Sequence, residues 1–431
     1  MRRVNTFITL SLVLALAGLW PARARAATTV VRFGKMVDGS GKAVNDAVVV
    51  VDGERITSVN SGASAIPANA KVIDLRRYTA IPGMIDVHTH ITRFWDGTPG
   101  TTPYRQPAIL PAEVVFLAQA NAQKTLECGV TAVRDLGAND LDDIAMRNLI
   151  NRGAMVGPRL FVSTKAISVT TLQQSGGMAK AVREAIANGA DWIKLIASTG
   201  GTQNLTGDQT LTYEEMKTAV EIAHHMRKPV AVHSYGPGAA KDAARAGVDT
   251  IEHPIDMDDD TIREMASKGI WYVPTIDHNR WYADNAILFQ FPVGVWTRET
   301  QQKVGSEEEL VEQFHSFIEK NIETTRRALK AGVKVAMGSD AIWNMPGQNT
   351  RELGAFVRAG MTPAQALASA TTSGAALLGM EKSLGTIAPG YFADIVAVEG
   401  DPLADVNVTM NNVRWVMKGG AIVVDKTHPA N

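Results

Sequence analysis

Short apolar runs alternate with longer segments of helical periodicity through the middle of the chain, over about residues 81–380. Such alternation is typical of βαβ units and predicts an α/β fold with a parallel sheet. The apolar runs end near eight positions: His88, Asp135, Thr164, Lys194, His233, His253, Thr275 and Asp340. Eight strands with helices between them predict a TIM-like (β/α)8 barrel.

Both ends of the chain are rich in strand-forming residues. Apolar runs flank Asp52-Gly53 near the N-terminus and Gly419-Gly420 near the C-terminus, and each pair of runs predicts a hairpin with a tight turn. We therefore predict a small β-sandwich domain built from residues 27–80 and 381–431, beside a barrel domain of residues 81–380.

The first residues have the layout of a signal peptide. Arg2 and Arg3 precede an apolar run from Phe7 to Leu19, and an Ala-Arg-Ala sequence ends at Ala26. The alternative is a membrane anchor, but this run is shorter than the roughly 20 residues that span a bilayer. We therefore expect removal of residues 1–26 and a periplasmic or secreted protein without a membrane span.

Charge and cysteine content narrow the classes of partner. Residues 1–26 hold four arginines and no acidic residue, so their removal takes the formal net charge from −1 to −5. This acidic balance does not favour nucleic acid or anionic membranes. The single cysteine, Cys128, allows no intramolecular disulfide. We expect a homo-oligomer that acts on a small molecule or a dipeptide.

The strongest chemical signal is the HxH sequence at the end of the first barrel strand. His88 and His90 are two residues apart, so both side chains point to the same face and can bind one metal ion. An HxH pair alone arises often by chance. Its weight increases because His233, His253 and Asp340 also end apolar strands.

Lys194 is the only lysine of its apolar strand, and a buried lone lysine is costly. Its amine either extends beyond the strand end into water or reacts with carbon dioxide to form a carbamate. Two nearby dications disfavour an ammonium and favour such an anionic bridge. Four histidines, a lysine and an aspartate at the ends of five strands therefore predict a metal site.

These residues resemble the signature of the amidohydrolase superfamily, with HxH on strand 1 and Lys, His, His and Asp on strands 4, 5, 6 and 8. The segments Ile81–Asp86, Gly385–Gly390 and Ala393–Val396 also resemble that superfamily's junction and C-terminal strands. The arrangement with a lysine resembles the branch with two metals. It implies two divalent ions, for which zinc suits an imidazole-rich site, and carbon dioxide for carboxylation of Lys194.

Further motifs resemble the Xaa-Pro dipeptidases and ochratoxinase-like carboxypeptidases. They are His233-Ser234-Tyr235, Val273-Pro274-Thr275, Asp277-His278-Asn279-Arg280 and Gly360-Met361-Thr362-Pro363. This resemblance implies cleavage of the amide before a C-terminal L-amino acid, in dipeptides, N-acyl amino acids or ochratoxin-type amides. The chain departs from the group at strand 3, where residues 167–177 contain no histidine. That departure concerns the substrate and not the metal site.

The expected mechanism divides the six ligands between two metals: His88, His90 and Asp340 on one, His233 and His253 on the other, and carboxylated Lys194 as the bridge. Water between the metals is the nucleophile, and Asp340 is general base and then general acid. Tyr235 either donates a hydrogen bond to the developing oxyanion or packs beneath the barrel rim.

Recognition of a free carboxylate needs a cation or donor at the barrel mouth. His278 and Arg280 lie in a long connection from Asp277 to about Gly305, which also holds Trp281 and other aromatic residues. Arg280 would bind the carboxylate, and the aromatic side chains would form an apolar pocket. Alternatively, Arg280 forms a surface salt bridge, and the rings pack on the barrel exterior or at a subunit contact.

Two other functions stay open. A cyclic amide hydrolase or lactonase would use the same metals and Asp340 but would not need a carboxylate-binding group. A non-catalytic relative that kept the fold would be expected to lose ligands, whereas all six are present here.

Overall fold

The computed structural model describes residues 28–63, 66–68, 70–201, 205, 207–286 and 307–428. The predicted signal peptide, residues 1–26, lies outside the described residues, so the periplasmic or secreted location stays a prediction. Within these ranges, none of the helices combines the length and the apolar character that crossing a bilayer requires.

The described strands alternate with helices through the middle of the chain. The strands are β1 (Thr29–Val37), β2 (Ala43–Asp52), β3 (Arg55–Ser61), β4 (Lys71–Pro82), β5 (Met84–Phe94), β6 (Val130–Asp135), β7 (Arg159–Val162), β8 (Ile193–Ile196), β9 (Val230–His233), β10 (Thr250–Glu252), β11 (Trp271–Val273), β12 (Lys334–Val335), β13 (Ala341–Trp343), β14 (Ile395–Val398), β15 (Val413–Lys418) and β16 (Ala421–Asp425). The helices are α1 (Pro111–Glu127), α2 (Asp142–Asn151), α3 (Val169–Ser175), α4 (Met178–Ala187), α5 (Tyr213–His225), α6 (Pro237–Ala246), α7 (Asp259–Lys268), α8 (Ile276–Asp284), α9 (Glu307–Lys330), α10 (Glu352–Arg358), α11 (Pro363–Ser369), α12 (Thr372–Leu377) and α13 (Val408–Asn411).

Strands from both ends of the chain form one sheet of seven, in the order β16-β15-β14-β4-β1-β2-β3. The central pairing joins the two ends, because Ile395 of β14 pairs with Pro82 of β4. The sheet curves over one apolar cluster, in which the rings of Phe33 and Trp415 lie 6.4 Å apart although β4 and β14 separate their strands. The division of this unit into a two-layered sandwich stays a prediction.

The strands of the middle segment pair in parallel, which confirms the predicted α/β class. Strands β8 to β12 form a five-stranded sheet, and β5 to β7 with β13 form a four-stranded sheet. The parallel bridge between Ile167 and Leu195 connects one edge of each sheet. Residues 334–343 connect the other edges, since β12 pairs with β11 and β13 pairs with β5. The eight residues at the predicted strand ends therefore all lie along one continuous series of parallel strands.

Most predicted strand ends agree with the structure, but two do not. Strands β6 to β11 end within two residues of their predicted positions. Strand β5 continues past His88 to Phe94, because β13 pairs with its final residues. Strand β12 ends at Val335 rather than at Asp340, since Met337 N donates to Ser369 O and Asp340 N donates to His88 O outside the regular ladder.

Local sequence explains the helices that surround the strands. Helix α5 begins with a capping box between Thr212 and Glu215, which satisfies two of its free N–H groups. Its buried residues recur at helical spacing on the face that packs inward. They are Met216, Ala219, Val220 and Ala223.

The predicted long connection from Asp277 to about Gly305 is wrong in its first part, where helix α8 forms. The carboxylate of Glu352 accepts hydrogen bonds from Ile276 N and Asp277 N, each at 2.8 Å. These contacts satisfy N–H groups that a local N-cap side chain normally satisfies. Residues 287–306 lie outside the described residues, and among them are three of the aromatic residues of that connection, Phe289, Phe291 and Trp296.

Candidate metal centre and active site

Three predicted metal ligands converge, two from β5 and one from the segment that follows β12. The ligand atoms of His88, His90 and Asp340 all lie within 4.8 Å of one another. Asp340 Oδ1 is 3.2 Å from His90 Nε2 and 3.5 Å from His88 Nε2. One cation can therefore reach all three side chains.

The other predicted ligands lie beside this group. The ring centroid of His253 is 4.8 Å from that of His88 and 4.7 Å from that of His233. Lys194 is 2% exposed, and its positive charge acts on the nearby histidines. The structure thus brings all six predicted ligands into one cluster, here called the strand-end cluster.

The buried nitrogen atoms of the strand-end cluster fit a metal site. The Nε2 atoms of His88, His233 and His253 and the Nζ atom of Lys194 are buried without a hydrogen-bond partner among the described residues. A buried polar atom without a partner is costly unless a ligand satisfies it. Three imidazoles, an amine and an aspartate, with His90 beside them, are a donor set that suits a divalent ion such as zinc.

Protein acceptors orient two of the imidazoles through Nδ1. His88 Nδ1 lies 2.8 Å from Glu252 Oε2, and His90 Nδ1 lies 3.0 Å from Gly137 O. Because a carboxylate or a carbonyl can only accept, the proton is on Nδ1 and the lone pair of Nε2 faces the cluster. Thr275 Oγ1 lies 2.7 Å from His253 Nδ1 and orients that ring as well, although a hydroxyl can either donate or accept.

A buried network behind His88 was missed by the sequence reasoning. Glu252 and Arg134 are both fully buried, and Arg134 Nη2 donates to Glu252 Oε1 at 2.9 Å. Thr250 Oγ1 donates to the same oxygen, and the Arg134 guanidinium stacks over Trp192 at 4.3 Å. The available signal was a charged residue in each of two apolar strands, β6 and β10. The network fixes Glu252 and hence the His88 ring.

Burial lowers the pKa of the site histidines, and the charge of Lys194 acts in the same direction. The pKa of His88 falls to about 4, and the pKa values of His233 and His253 fall well below the usual value. Burial also lowers the pKa of Lys194 to about 8. The three histidines are therefore neutral at pH 7, which is the form that binds metal. Lys194 is still mostly protonated at pH 7, but a larger fraction of it is neutral, and so able to react with carbon dioxide, than of an ordinary lysine.

Histidine nitrogen atoms lie beside both carboxylate oxygens of Asp340. His90 Nε2 lies 3.2 Å from Oδ1, and His278 Nε2 lies 3.2 Å from Oδ2. Burial raises the pKa of Asp340, but His278, His88 and His90 lower it more, so that it lies well below its usual value. The carboxylate is therefore ionised at neutral pH. A metal ligand or a proton acceptor requires that state.

Three residues of the site have left-handed backbone conformations. The φ angles are 74° at His253, 50° at Thr275 and 52° at Asp340. Such conformations cost about 1–3 kcal/mol each and are concentrated at functional sites. Here they turn the chain at the strand ends and aim the side chains of His253 and Asp340 into the cluster.

The strand-end cluster opens into a cavity of about 580 Å³. Tyr235 lines it, with its ring 5.1 Å from the ring of His253 and 4.9 Å from the ring of Phe317. A Cβ atom at Gly200 would lie 2.4 Å from the Tyr235 ring, so glycine is needed there. Tyr235 is only 1% exposed, and its buried hydroxyl has no hydrogen-bond partner among the described residues.

The three predicted substrate-binding residues on α8 have different positions. His278 lines the cavity and contacts Asp340, as described above. Arg280 does not line it; its Nε donates to Asp277 Oδ1 at 2.8 Å, and its Nη1 donates to Asp284. Trp281 is 3% exposed and packs in an apolar cluster with Tyr282. Of the two alternatives for Arg280, carboxylate binding and a salt bridge, the structure therefore shows the salt bridge.

Several known proteins are similar to this chain in both sequence and fold. The model of the amidohydrolase family matches residues 79–423. Ochratoxinase of Aspergillus niger is 27% identical, over 92% of this chain and 87% of its own length. The crystal structure of a Xaa-Pro dipeptidase with bound methionine in the active site is 30% identical, has a TM-score of 0.79, and covers 92% of this chain and 99% of that one. A prolidase structure with N-methylphosphonate-L-proline is 27% identical, with a TM-score of 0.76 and coverage of 93% and 100%.

The fold and the site together define a hydrolase with a candidate metal centre at the ends of parallel strands. The chain belongs to the amidohydrolase family. It is related to ochratoxinase and to Xaa-Pro dipeptidase, so the family resemblance inferred from the motifs is confirmed.

Proposed function

We propose that this chain is a hydrolase with two metals that cleaves the amide bond before a C-terminal L-amino acid, in dipeptides or N-acyl amino acids, ochratoxin-type amides included. The observation that carries the proposal is the strand-end cluster, which opens into a cavity of about 580 Å³ and in which four buried nitrogen atoms have no hydrogen-bond partner among the described residues. The relatives support the substrate class. One is an ochratoxinase, one structure is a Xaa-Pro dipeptidase with bound methionine, and one is a prolidase with N-methylphosphonate-L-proline.

In this proposal the parallel strands β5 to β12 close into a (β/α)8 barrel, and the strand-end cluster divides between two divalent ions, with zinc the best fit. His88, His90 and Asp340 would hold one ion, and His233 and His253 would hold the other. Lys194, once carboxylated by carbon dioxide, would supply its carbamate oxygens as further ligands. When bound, the metals acidify water and polarise a carbonyl group.

The protein side chains supply the proton transfers. Asp340 is ionised because its pKa lies well below the usual value, so its carboxylate is in the form that can accept a proton. In this proposal it accepts the proton of the attacking water, which the bound metals would acidify, and later gives it to the leaving nitrogen. Burial raises the pKa of Tyr235, which keeps its hydroxyl protonated. It therefore donates a hydrogen bond to the oxyanion that develops on the carbonyl oxygen.

The test is a substrate panel with metal analysis of the same sample. We expect about two divalent ions per chain and turnover of N-acyl-L-amino acids or L-dipeptides, with no comparable turnover of cyclic amides or lactones. Lys194→Ala should lower both metal content and turnover, with partial rescue by a short carboxylic acid. An active sample without metal, or turnover of lactones alone, would contradict the proposal.

A further inference from the structure

Two basic side chains line the cavity outside the strand-end cluster, Arg93 and Lys165. The only carboxylate among the described lining residues is that of Asp340, which belongs to the cluster. The rest of the described wall is formed by neutral residues, apart from the histidines and Lys194 of the site. This part of the cavity therefore attracts an anionic group of a substrate.

Arg93 is well placed to bind such a group. It lies near the end of β5, and its Nε donates to Gly137 O at 3.4 Å. The same carbonyl holds His90 Nδ1 at 3.0 Å, so the guanidinium lies one carbonyl group away from a predicted metal ligand. A substrate that reaches the strand-end cluster therefore comes within the range of Arg93.

The guanidinium of Arg93 has no carboxylate partner within the described part of the chain, where its hydrogen bond is the one to Gly137. It lies within electrostatic range of Asp135. That carboxyl is fully buried and accepts hydrogen bonds from Ile91 N and Thr89 Oγ1 instead of pairing with Arg93. The planar guanidinium can therefore form two parallel hydrogen bonds with a carboxylate.

Lys165 adds a second positive charge at the exposed edge of the cavity. The preceding residue, Thr164, has a left-handed backbone, and its N–H donates to buried Asp143 at 2.7 Å. This contact fixes the backbone from which Lys165 extends. A flexible ammonium at an exposed edge attracts an anion without defining its orientation, in contrast to the part-buried guanidinium of Arg93.

We propose that Arg93, assisted by Lys165, binds the free carboxylate of the leaving L-amino acid. The inference rests on the proposed function, because it assigns a carboxylate-binding site to that reaction. It replaces the predicted role of Arg280, whose guanidinium is paired with Asp277 and Asp284 away from the cavity. Substrates whose carboxylate is capped as an amide leave Arg93 without its partner and are cleaved less efficiently.

The kinetic test compares N-acyl-L-phenylalanine with its carboxamide. Arg93→Gln should lower kcat/KM for the acid by about 10- to 100-fold, mainly through KM, because it removes a hydrogen bond between charged groups. Lys165→Gln should lower it by about two- to fivefold, since the side chain is exposed. Turnover of the carboxamide should change by less than about twofold in either variant.

The matched control is Arg152→Gln, which removes an exposed arginine at the end of α2 that does not line the cavity. It should leave both substrates unaffected. An equal loss on the acid and the carboxamide in Arg93→Gln, or no loss on either, would overturn the inference even if wild-type turnover supports the proposed function.

A binding experiment tests the same inference without turnover. Calorimetry on the zinc-loaded protein compares L-phenylalanine with L-phenylalaninol, which lacks the carboxylate. Arg93→Gln should weaken the binding of L-phenylalanine by at least about tenfold and leave that of L-phenylalaninol unchanged. This result would support the carboxylate site even if no amide were cleaved. Unchanged binding of L-phenylalanine would overturn the site.

Discussion

The strand-end cluster and helix α8 are two parts of the same cavity, but they are positioned by different forces. Each residue of the cluster lies within an apolar strand or near the end of one, and parallel pairing brings these strands together. Helix α8 depends on Glu352, which follows its first residue by 76 positions and caps its first turn. The cluster is therefore determined by local pattern, whereas α8 is determined by a distant contact.

This difference has a chemical consequence. The side chains of the strand-end cluster keep their nitrogen atoms free for a ligand, because their other polar atoms are satisfied by residues such as Glu252 and Thr275. On α8, Arg280 finds its partners three and four residues away on the same helix, in Asp277 and Asp284. Local ion pairs of this kind occupy a cation that would otherwise be available to a substrate.

The largest expected effect is on the cluster side of the comparison. Asp340→Asn should keep the fold but lower turnover by at least about 1,000-fold, because it removes a proton acceptor and a metal contact. Steady-state kinetics, with circular dichroism and metal analysis, would measure it. Residual turnover above about a tenth of wild type would mean that another base performs the proton transfer.

A matched control for this prediction is Asp135→Asn at the end of β6. Burial raises the pKa of Asp135 to about 8, so this carboxyl is largely protonated at pH 7 and asparagine is a close replacement. It does not line the cavity. Turnover should therefore stay close to wild type.

Tyr235→Phe should lower kcat by roughly 10- to 1,000-fold, as expected for the loss of one oxyanion donor. The control is Tyr272→Phe, because Tyr272 is also a buried tyrosine, and its hydroxyl donates to Pro254 O at 2.7 Å outside the cavity. The control should cost about 0.5–1.5 kcal/mol of unfolding free energy and leave kcat unchanged. Equal kcat values for the two variants would mean that Tyr235 only packs beneath the rim.

Glu252→Gln tests the support behind the cluster. It should weaken metal affinity by about 10- to 100-fold, because Glu252 fixes the tautomer and orientation of His88. It should also lower the free energy of unfolding by about 3–5 kcal/mol, because Arg134 keeps a buried charge without its partner. Competition with a chelator and chemical denaturation measure the two effects. Thr250→Val, which removes one hydrogen bond to Glu252 but leaves His88 its partner, should change metal affinity by less than about tenfold.

The sequence was sufficient for the parts of the molecule that depend on short-range pattern. The parallel strands, the hairpins at both ends and the six residues of the strand-end cluster all follow from alternation and from the positions where apolar runs end. The sequence predicted that the two ends of the chain share a small β-domain, but not that β14 pairs with β4. The register of that pairing depends on contacts between distant parts of the chain.

Other features could not be read from local pattern. Glu252 immediately precedes the predicted ligand His253, and local pattern does not show that its partners are the distant residues Arg134 and His88. Thr275 is a poor local N-cap, because its side chain holds His253 instead of the helix. Arg93 gave no signal, since its position on the cavity wall depends on the length of β5 and on Gly137.

The smallest expected effect is on the α8 side of the comparison. Arg280→Gln should change kcat/KM for N-acyl-L-phenylalanine by less than about threefold, because the guanidinium is already paired and does not line the cavity. The loss of part-exposed ion pairs should cost at most about 1 kcal/mol of unfolding free energy. Parallel kinetics with Arg93→Gln make the comparison direct, since each variant removes one arginine charge, on the cavity wall in one case and away from it in the other. A large loss in Arg280→Gln that is confined to substrates with a free carboxylate would show that α8 moves Arg280 to the substrate on binding. The strand-end cluster and α8 would then both contact the bound substrate.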